Sequence, residues 1–251
     1  MKLVRCSNNG RVYFGVWDEK SDAVREIKGG KEISEEAVKL SELKFLSPCQ
    51  PSKIVAVGLN YRDHADEMKL PIPQEPILFI KPSTAVIAHN EEIIYPSMSK
   101  RVDYEAELGV VIKKKARNVS EEEAKDYILG YTCFNDVTAR DLQKRDGQYT
   151  RSKGFDTFAP LGPCIETNVD PVHITIESYV NGERKQSSNT KEMIFSVFHL
   201  VSFISQVMTL LPGDVIATGT PAGVGPLNAG DIVEVRIQGV GILRNRVAES
   251  E

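Results

Sequence analysis

Three acidic residues in two short segments carry the clearest chemistry in this sequence. Glu105 and Glu107 stand two apart in RVDYEAELGVVIK (101–113), and Asp136 follows the apolar run Tyr131–Phe134. Alternation along a strand puts Glu105 and Glu107 side by side on one face, with Cα atoms about 6–7 Å apart. Tyr104, Ala106, Leu108 and Val110 point the other way. A half-exposed strand with a solvated acidic face would show the same pattern. Together with Asp136 the set is all oxygen, with no Cys or His. That suits a hard cation, Mg²⁺ or else Mn²⁺ or Ca²⁺, better than zinc. Three carboxylates and one dication leave one negative charge, so an anionic substrate needs further cations. Arg140 and Lys153 can supply them.

His64 and Glu67 lie three apart in RDHADEMK (62–69), a polar stretch compatible with a helix until Pro71 and Pro73. A carboxylate there can orient the imidazole and fix its proton, as a general base requires. A surface histidine beside a helical glutamate fits the same spacing. There is no HExxH motif, which sets aside the zinc-protease reading. Asp136 suits the N-cap of a helix over Val137–Lys144, whose period lines Arg140 and Gln143 up on one face. Lys153 belongs to a long polar loop, Arg145–Phe158. The loop GTPAGVG (219–225) lacks the Lys-Ser/Thr of a P-loop. Its amides and Thr220 could meet a carboxylate, or it could be a plain turn.

The elements that must position these groups are mostly strands. Residues 1–50 read as a small α+β domain: strands at Leu3–Cys6, Val12–Trp17 and Ala23–Ile27, then an amphipathic helix from Ser34 through Leu43. Ser47–Pro51 reads as a linker to a second domain, 51–251. Buried strands are expected at Lys53–Val57, Pro76–Ile80 and Tyr131–Phe134, and a hairpin at Asn181-Gly182. Ser120 and Glu123 form a capping-box signal for a helix through Tyr127. Met193–Met208, with an apolar stripe, is the longest expected helix.

Composition narrows the function classes. The chain has 251 residues, 41% of them hydrophobic, a net charge of −4 and a pI near 5.7, so nothing favours nucleic acid. No apolar run reaches membrane-spanning length, and charge at Lys2 and Arg5 interrupts any signal-peptide pattern. Cys6, Cys49, Cys133 and Cys164 form no CxxC pair, which argues against structural zinc or a disulfide framework. A reducing cytoplasm is the default expectation.

Seven stretches then bear on kinship: VGLNYRDHADEM (57–68), PILFIKPSTAV (76–86), DYEAELGVVI (103–112), FNDVTARDLQ (134–143), SKGFDTFAPLGP (152–163), VNGERKQSSNTKEMIF (180–195) and LLPGDVIATGTPAGVGPL (210–227). Over residues 53–248 the chain resembles the fumarylacetoacetate hydrolase family, close to its acylpyruvate hydrolase and oxaloacetate decarboxylase branch. The resemblance implies an α+β, β-rich fold, a mixed β-sandwich roll with flanking helices, and a homodimer. It implies Glu105, Glu107 and Asp136 as metal ligands. His64 and Glu67 would be a catalytic dyad on a lid, with Lys153 as a further catalytic group. Arg140, Gln143 and Thr220 would contact substrate. Tyr149 stands where many relatives carry Trp, and the end of the lid, Lys69–Gln74, is of a kind that varies among them.

The implied chemistry is metal-dependent cleavage of a C–C bond in a small anionic 2-oxo acid, by acylpyruvate or fumarylpyruvate hydrolysis or by oxaloacetate decarboxylation. The ion would act as a Lewis acid. A second reading on the same scaffold is isomerisation, as by 2-hydroxyhepta-2,4-diene-1,7-dioate isomerase or oxaloacetate tautomerase. A third is a non-catalytic relative, whose mark would be a missing ligand or dyad residue, and none is missing.

Overall fold

β-Branched and aromatic runs, punctuated by Gly and Asn, set most of the chain in strands. The computed structural model describes residues 1–250. A twelve-stranded sheet begins with the N-terminal meander Lys2–Asn8, Arg11–Asp18, Ala23–Lys28 and Glu32–Lys39. It continues through Ala159–Glu166, Ile128–Asn135, Ala106–Ile112, Val215–Ala217 and Ile54–Val57 to an edge strand, Leu78–Lys81. A five-stranded sheet covers one of its faces. The shared core joins Leu108, Val110 and Ile112 to Ile176, Val235, Ile237 and Leu243. Helix α4, Val197–Val207, closes that core with Leu200, Val201 and Ile204, the buried part of its apolar stripe. The expected β-rich roll with flanking helices is therefore present. The other helices are short: α1 Arg62–Met68, α2 Arg140–Asp146 and α3 Tyr149–Lys153.

One N-terminal expectation is corrected. The segment expected as a helix from Ser34 to Leu43 is the strand Glu32–Lys39 followed by a 3-10 turn, Leu40–Glu42, so residues 1–46 hold no α-helix. A ten-residue helix is marginal alone, whereas the open edge of Ala23–Lys28 offers a full ladder that pairs Val38 with Val24. These strands also extend the main sheet, since Lys2 pairs with Glu166. The Ser120–Glu123 capping box forms, but it opens only the 3-10 turn Ala124–Tyr127.

A third, three-stranded sheet (Thr138–Ala139, Val102–Tyr104, Gly225–Leu227) matters most for function. The segment read as one strand over 101–113 is two, broken at Glu105, and each half belongs to a different sheet. Its neighbour breaks at Asp136-Val137 and joins the same second sheet. The stretch between Val215–Ala217 and Gly225–Leu227 makes the same crossing. Three chain segments thus change sheets at one seam, where ladder hydrogen bonding is interrupted and side chains can turn inward.

Asp214 anchors the far end of this arrangement. Its buried carboxylate accepts from Ser52 N–H and Oγ, Lys53 Nζ (2.5 Å) and Leu211 N–H, tying together the starts of the parallel pair Ile54–Val57 and Val215–Ala217. Burial alone would raise its pKa, but the Lys53 ammonium and these hydrogen bonds outweigh it and hold the carboxyl below its ordinary 3.8. Asp214→Ala should cost about 2–4 kcal/mol at neutral pH, read by denaturant unfolding. A depressed folded-state pKa gives stability that is complete above 3.8 and lost as pH falls through the folded value. The gap between wild type and variant should therefore narrow only below that pH.

Candidate metal centre and its cavity

Strand register brings the three carboxylates together. Ala106 pairs with Asn135, which makes Glu105 and Asp136 neighbours just beyond the ladder. Asp136 N–H donates to Glu105 O (2.9 Å), and Glu105 N–H donates to the Asn135 side-chain oxygen (2.9 Å). Glu107 follows on the central strand, on the face opposite Leu108. Each of the three offers a carboxylate oxygen, and these lie within 4.8 Å of one another. All three side chains are buried. Among the described residues they form the one such group.

Cations crowd round two of the three. Lys153 Nζ donates to Glu105 Oε2 (2.9 Å) and Asp136 Oδ2 (2.5 Å). Arg140 donates to Glu105 Oε1 through Nη2 and to Asp103 Oδ2 through Nε (2.9 Å). Lys81 Nζ donates to Asp136 Oδ1 (2.5 Å) and Val137 O (3.0 Å). Burial pushes the Glu105 carboxyl up, but Lys153 and Arg140 more than reverse this and bring it to about 2. The two lysines diverge. Burial lowers both, yet Lys153 faces two carboxylates and ends above its ordinary value, whereas Lys81 has one strong partner, faces the Lys153 charge, and ends below.

Glu107 has no such cation; a single donor, the Gly219 N–H, reaches its Oε2 (2.8 Å). Burial, then repulsion from Asp136 and Glu105, drives its carboxyl well above the ordinary value. A buried carboxylate lacking a cation, beside two others within ligand distance, is the arrangement a divalent ion resolves. The donor set therefore fits a hard dication.

His64 Nδ1 lies 3.1 Å from Glu67 Oε2 on α1. An ionised carboxylate only accepts, so Nδ1 donates in this contact, and in the neutral imidazole the lone pair is then on Nε2. Glu67 in turn accepts from Gly223 N–H (3.1 Å), and Asp63 accepts from Ser188 Oγ (2.5 Å), which docks the helix over the seam. Arg140 Nη1 donates to Gln143 Oε1 (2.6 Å), as the helical spacing suggested. His64, Glu105, Glu107, Asp136, Arg140, Gln143, Lys153 and Thr220 line one cavity of about 400 Å³; Glu67 stands one step behind. The Thr220 hydroxyl donates to Ala106 O and accepts from Gln186 Nε2 (2.8 Å each), so its proton is already engaged.

Two expectations about surroundings are corrected. Asp136 caps no helix: α2 starts at Arg140 after Ala139, and Asp136 turns to the lysines instead. Lys153 sits on a short helix within the expected loop. Lys81, Asp103 and Gln186 escaped the sequence reading. For Lys81 a signal existed, since a lysine ending the apolar run Pro76–Ile80 is buried only with a carboxylate partner. Gln186, on a strand about eighty residues away, gave none.

Comparison with known proteins shows what this chain is similar to. A family model described as "Fumarylacetoacetate (FAA) hydrolase C-terminal" matches residues 53–248. The chain is 46% identical over 276 residues to 2,4-didehydro-3-deoxy-L-rhamnonate hydrolase from Sphingomonas sp., covering 99% of this chain and 96% of that one. It superposes on 5-carboxymethyl-2-hydroxymuconate delta-isomerase from Mycobacterium smegmatis with a TM-score of 0.93 and 42% identity, over 100% of both chains. Maleylpyruvate hydrolase from Sphingobium sp. SYK-6, solved with manganese(II) and pyruvate, gives a TM-score of 0.85 and 28% identity over 100% of both chains.

Neutralising Glu107 separates folding from metal binding. Glu107→Gln keeps an acceptor for Gly219 and removes a buried charge, so the metal-free variant should melt no lower than wild type. Added Mn²⁺ or Mg²⁺ should raise the wild-type melting temperature, by about 2.7 kcal/mol of stabilisation at a hundredfold excess over Kd. The variant should show almost no rise; an undiminished rise would remove Glu107 from the ligand set.

Proposed function

The chain belongs to the fumarylacetoacetate hydrolase family, and from that premise we propose that it hydrolyses a C–C bond in a small anionic 2-oxo acid of the acylpyruvate type. Relatives of this chain carry hydrolase and isomerase names, and the acidic triad is a divalent-metal site in this reading, with Mg²⁺ the first candidate and Mn²⁺ or Ca²⁺ next. The observation that carries the proposal is the convergence of three buried carboxylates and a His–Glu pair on one cavity. A homodimer belongs to the same reading through family likeness, and a cytoplasmic location through the scattered, unpaired cysteines.

Glu105, Glu107 and Asp136 would hold the ion, which when bound supplies Lewis acidity toward the carboxylate and keto oxygens of the acid. Lys81, Lys153 and Arg140 bond to Asp136 and Glu105, and none of them bonds to Glu107. A bound dication would answer the Glu107 charge and leave positive charge for the substrate carboxylate and for negative charge that develops as the bond breaks. His64 Nε2 takes a proton from the water that attacks the distal carbonyl, while Glu67 steadies the imidazolium through Nδ1. Lys153 and the Gln143 amide are placed to stabilise the resulting oxyanion. The bond from that carbonyl carbon to its neighbour breaks, the electron pair goes to the neighbour, and the proton returns there. Arg140 clamps the acid end, and Thr220 holds its loop against the central strand.

A second reading is proton transfer without cleavage, favoured by the isomerase neighbour at 42% identity. The same His64–Glu67 pair would then move a proton between two carbons, with no attacking water.

Turnover of acetylpyruvate, fumarylpyruvate, oxaloacetate and 2-hydroxyhepta-2,4-diene-1,7-dioate, each with Mg²⁺ and with chelator, distinguishes these. Metal-dependent release of pyruvate from an acylpyruvate is expected; conversion of the dienedioate alone would establish the isomerase instead. His64→Ala should reduce acylpyruvate hydrolysis by about 10²–10⁴-fold, and oxaloacetate decarboxylation, which needs no attacking water, by much less. Equal losses would show that His64 does not activate water.

A further inference from the structure

The cavity has two chemically different ends. Its floor holds the charged groups that line it: Glu105, Glu107, Asp136, Arg140 and Lys153. The wall facing that floor is built from Met68, Leu70, Pro71, Pro73 and Ile77, with Phe79 at its foot, where Lys153 Nζ stands 5.1 Å from the ring centroid. Met68, Leu70 and Ile77 are each about half exposed (54%, 50% and 51%), which is unusual for neighbouring large apolar side chains unless something covers them. Met68 lies one helical turn beyond His64, on the same face of α1. Whatever extends past the carbonyl that His64 serves therefore meets Met68 first, then the proline-containing segment behind it.

Among the described residues, no cation lines the wall of Met68, Leu70, Pro71, Pro73 and Ile77. The two cations lining the cavity are both at the floor and both engaged: Lys153 with Glu105 and Asp136, Arg140 with Asp103, Glu105 and Gln143. Lys69, between Met68 and Leu70 in sequence, does not line the cavity. Pro71 and Pro73 offer no amide N–H. The polar tip available is the Tyr149 hydroxyl, whose ring stands edge-on to Phe79 with centroids 5.3 Å apart. A second carboxylate placed here would lose its water and gain no partner, whereas an alkyl or aryl group would bury apolar surface.

From this we infer that the substrate's distal group is apolar and uncharged: the site selects 2-oxo acids bearing an alkyl or aryl tail and discriminates against dicarboxylic ones. The inference rests on the metal-chelate reading above and adds the chemistry of the tail. It separates this chain from its maleylpyruvate hydrolase and carboxymethyl-hydroxymuconate isomerase neighbours, whose named substrates carry a second carboxylate.

Binding, rather than turnover, tests it. The Mg²⁺-loaded protein is titrated by calorimetry with 2-oxohexanoate, 2-oxooctanoate and 2-oxoadipate, with a parallel series in EDTA. 2-Oxohexanoate and 2-oxoadipate share a six-carbon chain and differ in the distal carboxylate. The expected result is metal-dependent binding in which 2-oxohexanoate binds at least tenfold more tightly than 2-oxoadipate, and 2-oxooctanoate more tightly still. Ile77→Arg, on the half-exposed wall, should shift the monoacid-to-diacid ratio at least tenfold toward 2-oxoadipate. Metal-dependent binding with 2-oxoadipate equal or favoured in the wild type would overturn the inference and leave the chelate intact. Absence of metal-dependent binding by all three acids would overturn the chelate reading, and this inference with it.

Discussion

Like-charge repulsion among three buried carboxylates is the constraint that organises this molecule. At separations within 4.8 Å, each ionised pair costs about 3 kcal/mol or more even at an effective dielectric near 20. No local choice of residue relieves that, because the charges are drawn from two strands thirty residues apart. Relief comes from elsewhere in the chain: Lys81 from the edge strand, Arg140 from α2, Lys153 from α3. Each bonds directly to a carboxylate, and Asp103 in turn accepts from Arg140 and Arg101. Glu107 is left over, and the unmatched charge of that one residue points to a divalent ion.

The seam between sheets explains why the charges can gather here at all. Inside a continuous ladder, backbone groups are paired and side chains alternate between two packed faces, leaving no room for polar convergence. At Glu105, at Asp136-Val137 and at Thr218–Val224 the chain leaves one sheet and enters another. The freed backbone groups are taken up by side chains: Asn135 meets Glu105 N–H, Gln186 meets Ala106 N–H, and Glu107 meets Gly219 N–H. The polar side chains at the crossing thus serve backbone satisfaction and the site together.

Residue type and spacing singled out the carboxylates but not the frame that brings them together. Alternation placed Glu105 and Glu107 on one strand, and helical period aligned His64 with Glu67 and Arg140 with Gln143, because these relations are local. The break at Glu105 was invisible, since a strand that changes sheets keeps its apolar alternation on both sides. The N-terminal helix failed for a related reason: Glu35, Glu36 and Ala37 suit a helix, but a waiting sheet edge outweighs propensity. Lys81 and Gln186 depend on contacts across 55 and 80 residues of chain, which no window of sequence contains.

The two ends of the cavity differ in rigidity as well as charge. The floor stands on strands buried on both faces, and its groups are cross-linked by ion pairs. Helix α1 has only seven residues, too few to persist without outside contacts, and it ends at Lys69 in a left-handed turn. Its docking uses the bonds Glu67–Gly223, Asp63–Ser188 and Arg62–Met193. Glu67 therefore bonds twice, to His64 on its own helix and to the Gly223 loop. The His64–Glu67 contact lies within α1, and the Gly223 N–H ties that pair to the loop. The charged floor is thus fixed by strands and ion pairs, whereas the apolar wall over it rests on a short helix and the segment that follows.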